Sequence, residues 1–265
     1  MPLLLMNLLG GLVLFALAAK LARRTASRAR TAILFLSILV CAPALSYTLY
    51  YLHLFDDWAL FYQARSYPVS NGYPALLGWL AGWGYGTARR ASLFFIAGMV
   101  AFVCFPLLKP VLMPPDRSGY EDRWKDGVCV QTTPSSCGPA SVATLLARQF
   151  NDRPDERRIA AATRTSATGT EVWYLAQYLR MRGYQIRFHT RRAVPIAPSI
   201  AGTRLVGAGH FVAITHEGGE MLVADPLSGA LTTDLGQFKF TGFFMEVRKA
   251  DSPQVVVQAS RPQRN

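Results

Sequence analysis

The stretch QTTPSSCGPASVATLLARQF, residues 131–150, decides how the second half of this chain folds. Its apolar residues recur at helical spacing, which predicts a helix over 137–150. Cys137 stands at the first helical position and is followed by Gly138 and Pro139. Proline is tolerated there because an N–H in the first turn has no intrahelical acceptor to lose. The pattern therefore predicts a thiol at the start of a helix.

A cysteine in that place is suited to nucleophilic chemistry. The thiolate is the reactive form of cysteine, and the start of a helix offers partial positive charge and unpaired N–H groups. Gly138 has no side chain, so another segment can approach the backbone next to Cys137. We therefore expect Cys137 to be an activated nucleophile rather than a structural thiol.

Three histidines in the same half of the chain are candidate bases: His189, His210 and His216. His210 opens the apolar run HFVAITH, and the run MLVADP follows after a Glu-Gly-Gly-Glu turn, which predicts a hairpin. In such a hairpin, residues pair when their numbers sum to about 436. His210 then lies beside Asp225, whereas His216 is near the turn and cannot reach that carboxylate. Asp225 is therefore the expected orienting group for the His210 imidazole.

Acyl transfer also needs donors for a developing oxyanion, and the side chain of Gln131 and the backbone N–H of Cys137 are the candidates. No Cys or His spacing suits a metal site, so we expect neither a metal nor a cofactor. A disulfide between Cys129 and Cys137 is an alternative that would silence the nucleophile.

The pattern beyond residue 113 predicts an α+β domain. Predicted helices precede predicted antiparallel strands, and this order is typical of that class. The helices are expected over 137–150, 154–163 and 169–182, and the strands over 184–190, 210–216, 221–226 and 242–249. We expect a linker over 114–124, the domain over 125–250 and a disordered tail over 251–265.

Residues 1–113 are largely apolar and predict an all-α transmembrane region. Spans are expected over 3–22, 33–54 and 92–113. The stretch over 72–88 is short and rich in glycine, so it suits a short span, a re-entrant hairpin or an interfacial helix.

Charge distribution bears on orientation. The formal net charge is +12, and four arginines lie between the first two apolar stretches, at Arg23, Arg24, Arg28 and Arg30. The positive-inside rule puts that loop in the cytoplasm. Four spans then place the α+β domain outside the cytoplasm, the arrangement that the charges favour, and three spans place it inside. No nucleic-acid-binding module is recognisable, so a nucleic-acid partner is not expected.

VQTTPSSCGPASVATLL, GHFVAI and VADPLSG together resemble the double-glycine leader peptidases, a papain-like cysteine peptidase family found at the front of bacteriocin-exporting transporters. The resemblance covers about residues 125–248 and no ATP-binding module follows. It implies that Cys137 is the nucleophile, His210 the general base and acid, Asp225 the group that orients His210, and Gln131 the oxyanion donor. Ser136 departs from the acidic residue often found before the cysteine, which leaves the preference for Gly-Gly leaders open.

The resulting hypothesis is a membrane-anchored cysteine peptidase in the bacterial cytoplasmic membrane. Its expected partners are a peptide or protein substrate, the lipid bilayer and a secretion or transport protein. Two alternatives use the same groove: an inactive adaptor that binds peptides for secretion, and an acyltransferase that passes the acyl group to an amine.

Overall fold

The computed structural model describes residues 2–52, 54, 57–87, 105, 107–116, 118–205 and 208–249. The predicted span over 92–113 lies largely outside these residues, and the predicted tail over 251–265 lies outside them entirely.

The described residues of the first part of the chain are largely helical. Its elements are α1 (Pro2–Arg24), α2 (Ser27–Tyr51), α3 (Ala59–Arg65), a 3-10 helix (Pro68–Ala75) and α4 (Leu76–Thr87). Two stretches in α1 and α2, Leu3–Arg24 and Arg28–Tyr47, are long and apolar enough to cross a membrane.

Helix α4 packs directly against α1 through glycine. Gly78 lies against Gly11 and Gly86 lies against Ala22, and a Cβ atom at either glycine would collide with α1. The residue numbers of the contacting pairs increase in the same direction along both helices, so α1 and α4 run parallel. Helix α4 is antiparallel to α2, since Arg30 donates to the Gly86 carbonyl and Cys41, further along α2, donates to the Leu76 carbonyl at the start of α4. Residues 78–86 therefore run beside α1 from the level of Gly11 to that of Ala22.

The second part of the chain is a helix-and-sheet domain, which confirms the α+β class. Its helices are α5 (Cys137–Phe150), α6 (Glu156–Ala162) and α7 (Val172–Met181). Its strands are β1 (Trp124–Lys125), β2 (Val128–Cys129), β3 (Tyr184–His189), β4 (Ser199–Leu205), β5 (Ala208–Glu217), β6 (Glu220–Asp225), β7 (Ala230–Thr232) and β8 (Phe240–Lys249).

Six of these strands form one antiparallel sheet in the order β3-β8-β4-β5-β6-β7. Strand β4 is absent from the predicted strands, although it lies between β8 and β5. Gly202 interrupts its apolar pattern, and a Cβ there would come within 2.8 Å of the Thr241 hydroxyl. The close approach of β8 explains the glycine, and the pairing with β8 shifts register at the same point.

The core lies between the sheet and helices α5 and α7. Leu145 and Leu175 of the helices and Ile200 and Met245 of the sheet are fully buried in one cluster. At about 1.5–3 kcal/mol for each such side chain, burial of this cluster is a dominant stabilising term for the domain.

The helical region docks on α7 and on the edge strand β3. Trp173 of α7 is fully buried, and its ring centroid lies 4.9 Å from that of Tyr50 in α2. Gln63 of α3 donates to the Ile186 carbonyl at 3.0 Å and accepts from the Phe188 N–H at 3.3 Å. A side-chain amide thus occupies part of the free edge of the sheet, where unpaired backbone groups favour aggregation.

A buried amide completes this docking. Gln177 of α7 donates to the Arg65 carbonyl at 2.8 Å and accepts from the Asn71 side chain at 2.8 Å. Because only 5% of Gln177 is exposed, water cannot take the place of its side chain. Its removal would leave these partners without hydrogen bonds.

We expect Gln177→Ala to lower the free energy of unfolding by about 1–3 kcal/mol, since it strands buried polar groups. The melting temperature of the full chain in detergent is the measurement. Gln185→Ala is the matched control, because Gln185 is exposed on β3 and should melt like the unaltered protein. Equal melting temperatures for the two variants would contradict a buried polar contact between the two parts.

Candidate active site

Cys137 is the first residue of α5, as the sequence predicts. Its side chain is partly exposed and the thiol is free. The next residue explains how the helix reaches this place: a Cβ at Gly138 would lie 3.0 Å from Leu175 and 3.6 Å from Phe211. A larger residue would push the start of α5 away from α7 and β5.

A hydrogen bond fixes the same turn of α5 to the sheet. The Ser141 hydroxyl donates to the Phe211 carbonyl at 3.0 Å. Phe211 follows His210 on β5, so the bond sets the height of Cys137 against that histidine. The thiol is consequently brought beside the imidazole, and Cys137 is one of the groups that raise the pKa of His210.

The other side of the His210 ring faces Asp225. Nε2 of His210 lies 2.7 Å from Oδ1 of Asp225, so Nδ1 is the ring nitrogen left for the thiol. The Leu227 N–H donates to Oδ1 at 2.9 Å and the Ser228 hydroxyl donates to Oδ2 at 2.8 Å, which holds the carboxylate in place. The β5–β6 hairpin is paired from Glu217 and Glu220 at its turn to Ala213 and Ala224. His210 and Asp225 lie just beyond this last pair, at the open end of the hairpin.

Buried hydrogen bonds control the charges of this pair. Burial lowers the pKa of His210, but the hydrogen bond with Asp225 and the nearby Cys137 raise it by more, so that the pKa is about 9. Burial raises the pKa of Asp225, but hydrogen bonds from His210, Leu227 and Ser228 hold it below the usual range. At neutral pH the site therefore combines an imidazolium with a carboxylate.

Gln131 lies on the loop that precedes α5. Its backbone N–H donates to the Pro226 carbonyl at 2.8 Å, which ties the loop to the turn after Asp225. Its side-chain Nε2 donates to the Thr133 carbonyl at 3.0 Å. An amide nitrogen carries two hydrogens, so this contact orients the group and leaves one hydrogen for another acceptor.

Glu156 also contacts this loop, and the sequence analysis does not anticipate it. It is fully buried at the start of α6. Its carboxylate accepts from the N–H of Thr132 at 3.2 Å and from the hydroxyl of Thr132 at 2.7 Å. No motif surrounds Glu156 in the sequence, so only the fold reveals the contact.

The remaining candidates lie elsewhere. His189 pairs with Glu246 at 2.9 Å on the edge strand β3, beside a cavity of about 580 Å³ whose lining includes neither Cys137 nor His210. The His216 carbonyl accepts from Gln149, near the hairpin turn. Cys129 is a fully buried free thiol, and burial raises its pKa.

The expected disulfide alternative is therefore not formed, because Cys129 and Cys137 are both free. Within the part of the chain that the structure describes, no three His, Cys, Asp or Glu side chains gather as metal ligands.

Two solved structures are similar to this chain over about half of its length. The peptidase domain of Streptococcus ComA, a bifunctional ABC transporter of a quorum-sensing pathway, is 15% identical, with a TM-score of 0.39; the match covers 45% of this chain and 96% of that one. A double glycine motif protease from an AMS/PCAT transporter, in complex with the leader peptide, is 20% identical, with a TM-score of 0.37; the match covers 50% and 96%.

No curated protein matches the chain. The model of the Peptidase C39 family does match, over residues 125–252. That range contains the Cys137, His210 and Asp225 cluster and the loop that carries Gln131. Residues 125–252 are therefore a cysteine peptidase domain of the Peptidase C39 family.

Proposed function

We propose that the chain is a membrane-anchored cysteine peptidase and that four of its side chains carry out the hydrolysis of peptide bonds. Cys137 is the nucleophile, His210 the general acid and base, Asp225 the group that orients His210, and Gln131 the oxyanion donor. The observation that carries this proposal is that Cys137, at the start of α5, lies beside the hydrogen-bonded pair of His210 and Asp225.

The chemistry follows from that arrangement. The Cys137 thiolate attacks the peptide carbonyl, and the carbonyl oxygen takes the negative charge. The free amide hydrogen of Gln131 and the backbone N–H of Cys137 donate to that oxygen, since first-turn N–H groups have no intrahelical acceptor. The His210 imidazolium then gives its proton to the departing amine, and a thioester remains on Cys137. Water, deprotonated by His210, releases the acyl group.

The membrane arrangement supports an extracytoplasmic domain. Tyr50 at the end of α2 and Lys109 both reach the carboxylate of Glu171, at 3.3 and 2.9 Å. The opposite end of the helical region carries Arg23 and Arg24. Helix α4 and the preceding 3-10 helix, at about 1.5 and 2.0 Å per residue, extend over roughly the thickness of a bilayer core. Thr87 thus lies at the end of the helical region that carries Arg23 and Arg24, whereas Lys109 lies at the other end, beside the peptidase domain.

Four crossings explain this path, and the positive-inside rule then puts the arginine end in the cytoplasm. The peptidase domain lies on the other side, where peptides emerging from a secretion or transport partner would meet it. The resemblance to leader peptidases adds peptides with small residues at the cleavage point as the substrate class.

We expect Cys137→Ala to abolish cleavage of a fluorogenic peptide amide ending in Gly-Gly, with a loss of roughly 10⁴-fold or more, because no other group can form the thioester. Gln131→Ala should lower kcat by about 10²–10³-fold. Cys129→Ala is the matched control and should retain activity. Full activity in Cys137→Ala would contradict the nucleophile assignment, and a product joined to an added amine would indicate acyl transfer instead.

The pH dependence follows from His210. Its pKa is raised from 6.5 to about 9, so the imidazolium persists at neutral pH and is lost as the pH rises through about 9. We expect kcat/KM to fall above that pH, by about tenfold per unit. Asp225→Asn removes the facing negative charge, so the falling limb should move to lower pH. Asp234→Asn, which alters an exposed aspartate, is the control, and an unmoved limb in Asp225→Asn would contradict the assignment.

Cysteine labelling tests the membrane orientation. In a background without native cysteines, a membrane-impermeant maleimide should label Ser118→Cys on intact cells and label Ala26→Cys only after permeabilisation. Both residues are exposed on the protein, so access depends on the membrane alone. Protection of both residues on intact cells would place the peptidase domain in the cytoplasm, as three spans require.

A further inference from the structure

A buried carboxylate holds the loop between Gln131 and Cys137. Glu156 is fully buried, and a buried carboxylate is unfavourable unless several donors satisfy it. Its donors belong to this loop: the N–H and the hydroxyl of Thr132.

Glu156 does not cap its own helix, α6. The N-terminal turn of α6 is capped by Asp155, whose carboxylate accepts from the Arg157 N–H at 2.7 Å. The hydrogen bonds of Glu156 are therefore directed across the structure to the loop and contribute to its shape.

The loop in turn fixes the amide of Gln131. Thr132, which Glu156 grips at two atoms, is the residue between Gln131 and Thr133. The Thr133 carbonyl accepts from Gln131 Nε2, so any rotation of the Thr132 backbone moves the acceptor that orients the amide. On the other side, Pro226 anchors the Gln131 N–H. The direction of the free amide hydrogen thus depends on Thr132.

We propose that Glu156 is a positioning residue that sets the oxyanion hole by holding Thr132, and thereby the Gln131 amide, in place. The proposal rests on the proposed role of Gln131. It predicts that Glu156 affects the step in which negative charge develops on the carbonyl oxygen, and leaves the Cys137–His210 pair unchanged.

Protonation of Glu156 should act like its substitution. Burial raises its pKa and the neighbouring Asp155 adds to that effect, while hydrogen bonds from Ser136 and Thr132 oppose it; the net pKa is raised. The buried thiol of Cys129 is a further titratable group that interacts with Glu156. A protonated carboxyl has one oxygen that donates rather than accepts, so one contact with Thr132 is lost as the pH falls.

The test is a double-mutant cycle in the full chain, with the fluorogenic peptide amide ending in Gly-Gly as the probe. We expect Glu156→Gln to lower kcat by about 10–10²-fold with little change in KM. Gln131→Ala and the double variant Gln131→Ala/Glu156→Gln should be equally slow, because both changes remove the same interaction. Alkylation of Cys137 by iodoacetamide should proceed at the unaltered rate in all three.

Three further variants keep the result interpretable. Thr132→Val removes the hydroxyl that contacts Glu156 and should reproduce the Glu156→Gln defect. Thr132→Ser keeps that hydroxyl and should retain activity. Asp155→Asn is the matched control on the neighbouring carboxylate. The acidic limb of kcat/KM should shift in Glu156→Gln and stay in place in Asp155→Asn.

Losses that multiply in the double variant, or a fall in the alkylation rate of Glu156→Gln, would overturn the proposal and assign Glu156 a general structural role. Full activity in Gln131→Ala would instead refute the oxyanion assignment on which the proposal rests. The two failures are therefore distinguishable. If Glu156→Gln does not fold, Thr132→Val and Thr132→Ser decide the matter by the same criteria.

Discussion

The contact between the first turn of α5 and strand β5 is the constraint on which the rest of this structure depends. A hydrogen bond from Ser141 to the Phe211 carbonyl and the absence of a side chain at Gly138 set the distance between helix and sheet. Because Cys137 begins the helix and His210 precedes Phe211, this one contact brings a helix terminus and a strand histidine together. Packing between core side chains then holds the arrangement rigidly, since interiors are close-packed.

The site keeps charged groups in a mostly buried place by satisfying each of them. Asp225 accepts hydrogen bonds from an imidazole, a backbone N–H and a hydroxyl, which offset its loss of solvation. The carboxylate of Glu156 likewise accepts hydrogen bonds from Thr132, in the loop ahead of the nucleophile. The half-buried carboxylate of Asp225 contacts the imidazole, and in the proposed arrangement the buried carboxylate of Glu156 holds the loop at Thr132, so that each acid orders a different part of the site.

The apolar helices are more than a tether, because they complete the surface of the peptidase domain. Tyr50 of α2 and Phe61 of α3 pack against the buried ring of Trp173, and Gln63 occupies part of the edge of strand β3. Removal of the helical region would expose an aromatic side chain and a row of backbone groups. The contact thus gives a physical reason for several apolar helices where one would suffice as an anchor.

The sequence by itself determined the local features of this protein. Helical periodicity predicted α5 with Cys137 at its start, and the turn between the last apolar runs predicted the hairpin that joins His210 to Asp225, because both follow from short-range spacing. Only the tertiary structure decided the rest. Strand β4 is hidden by Gly202, which is needed for close approach of a distant strand, and Glu156 reaches Thr132 from 24 residues away. Such contacts depend on how separate elements pack, and a pattern along one segment carries no record of its distant neighbours.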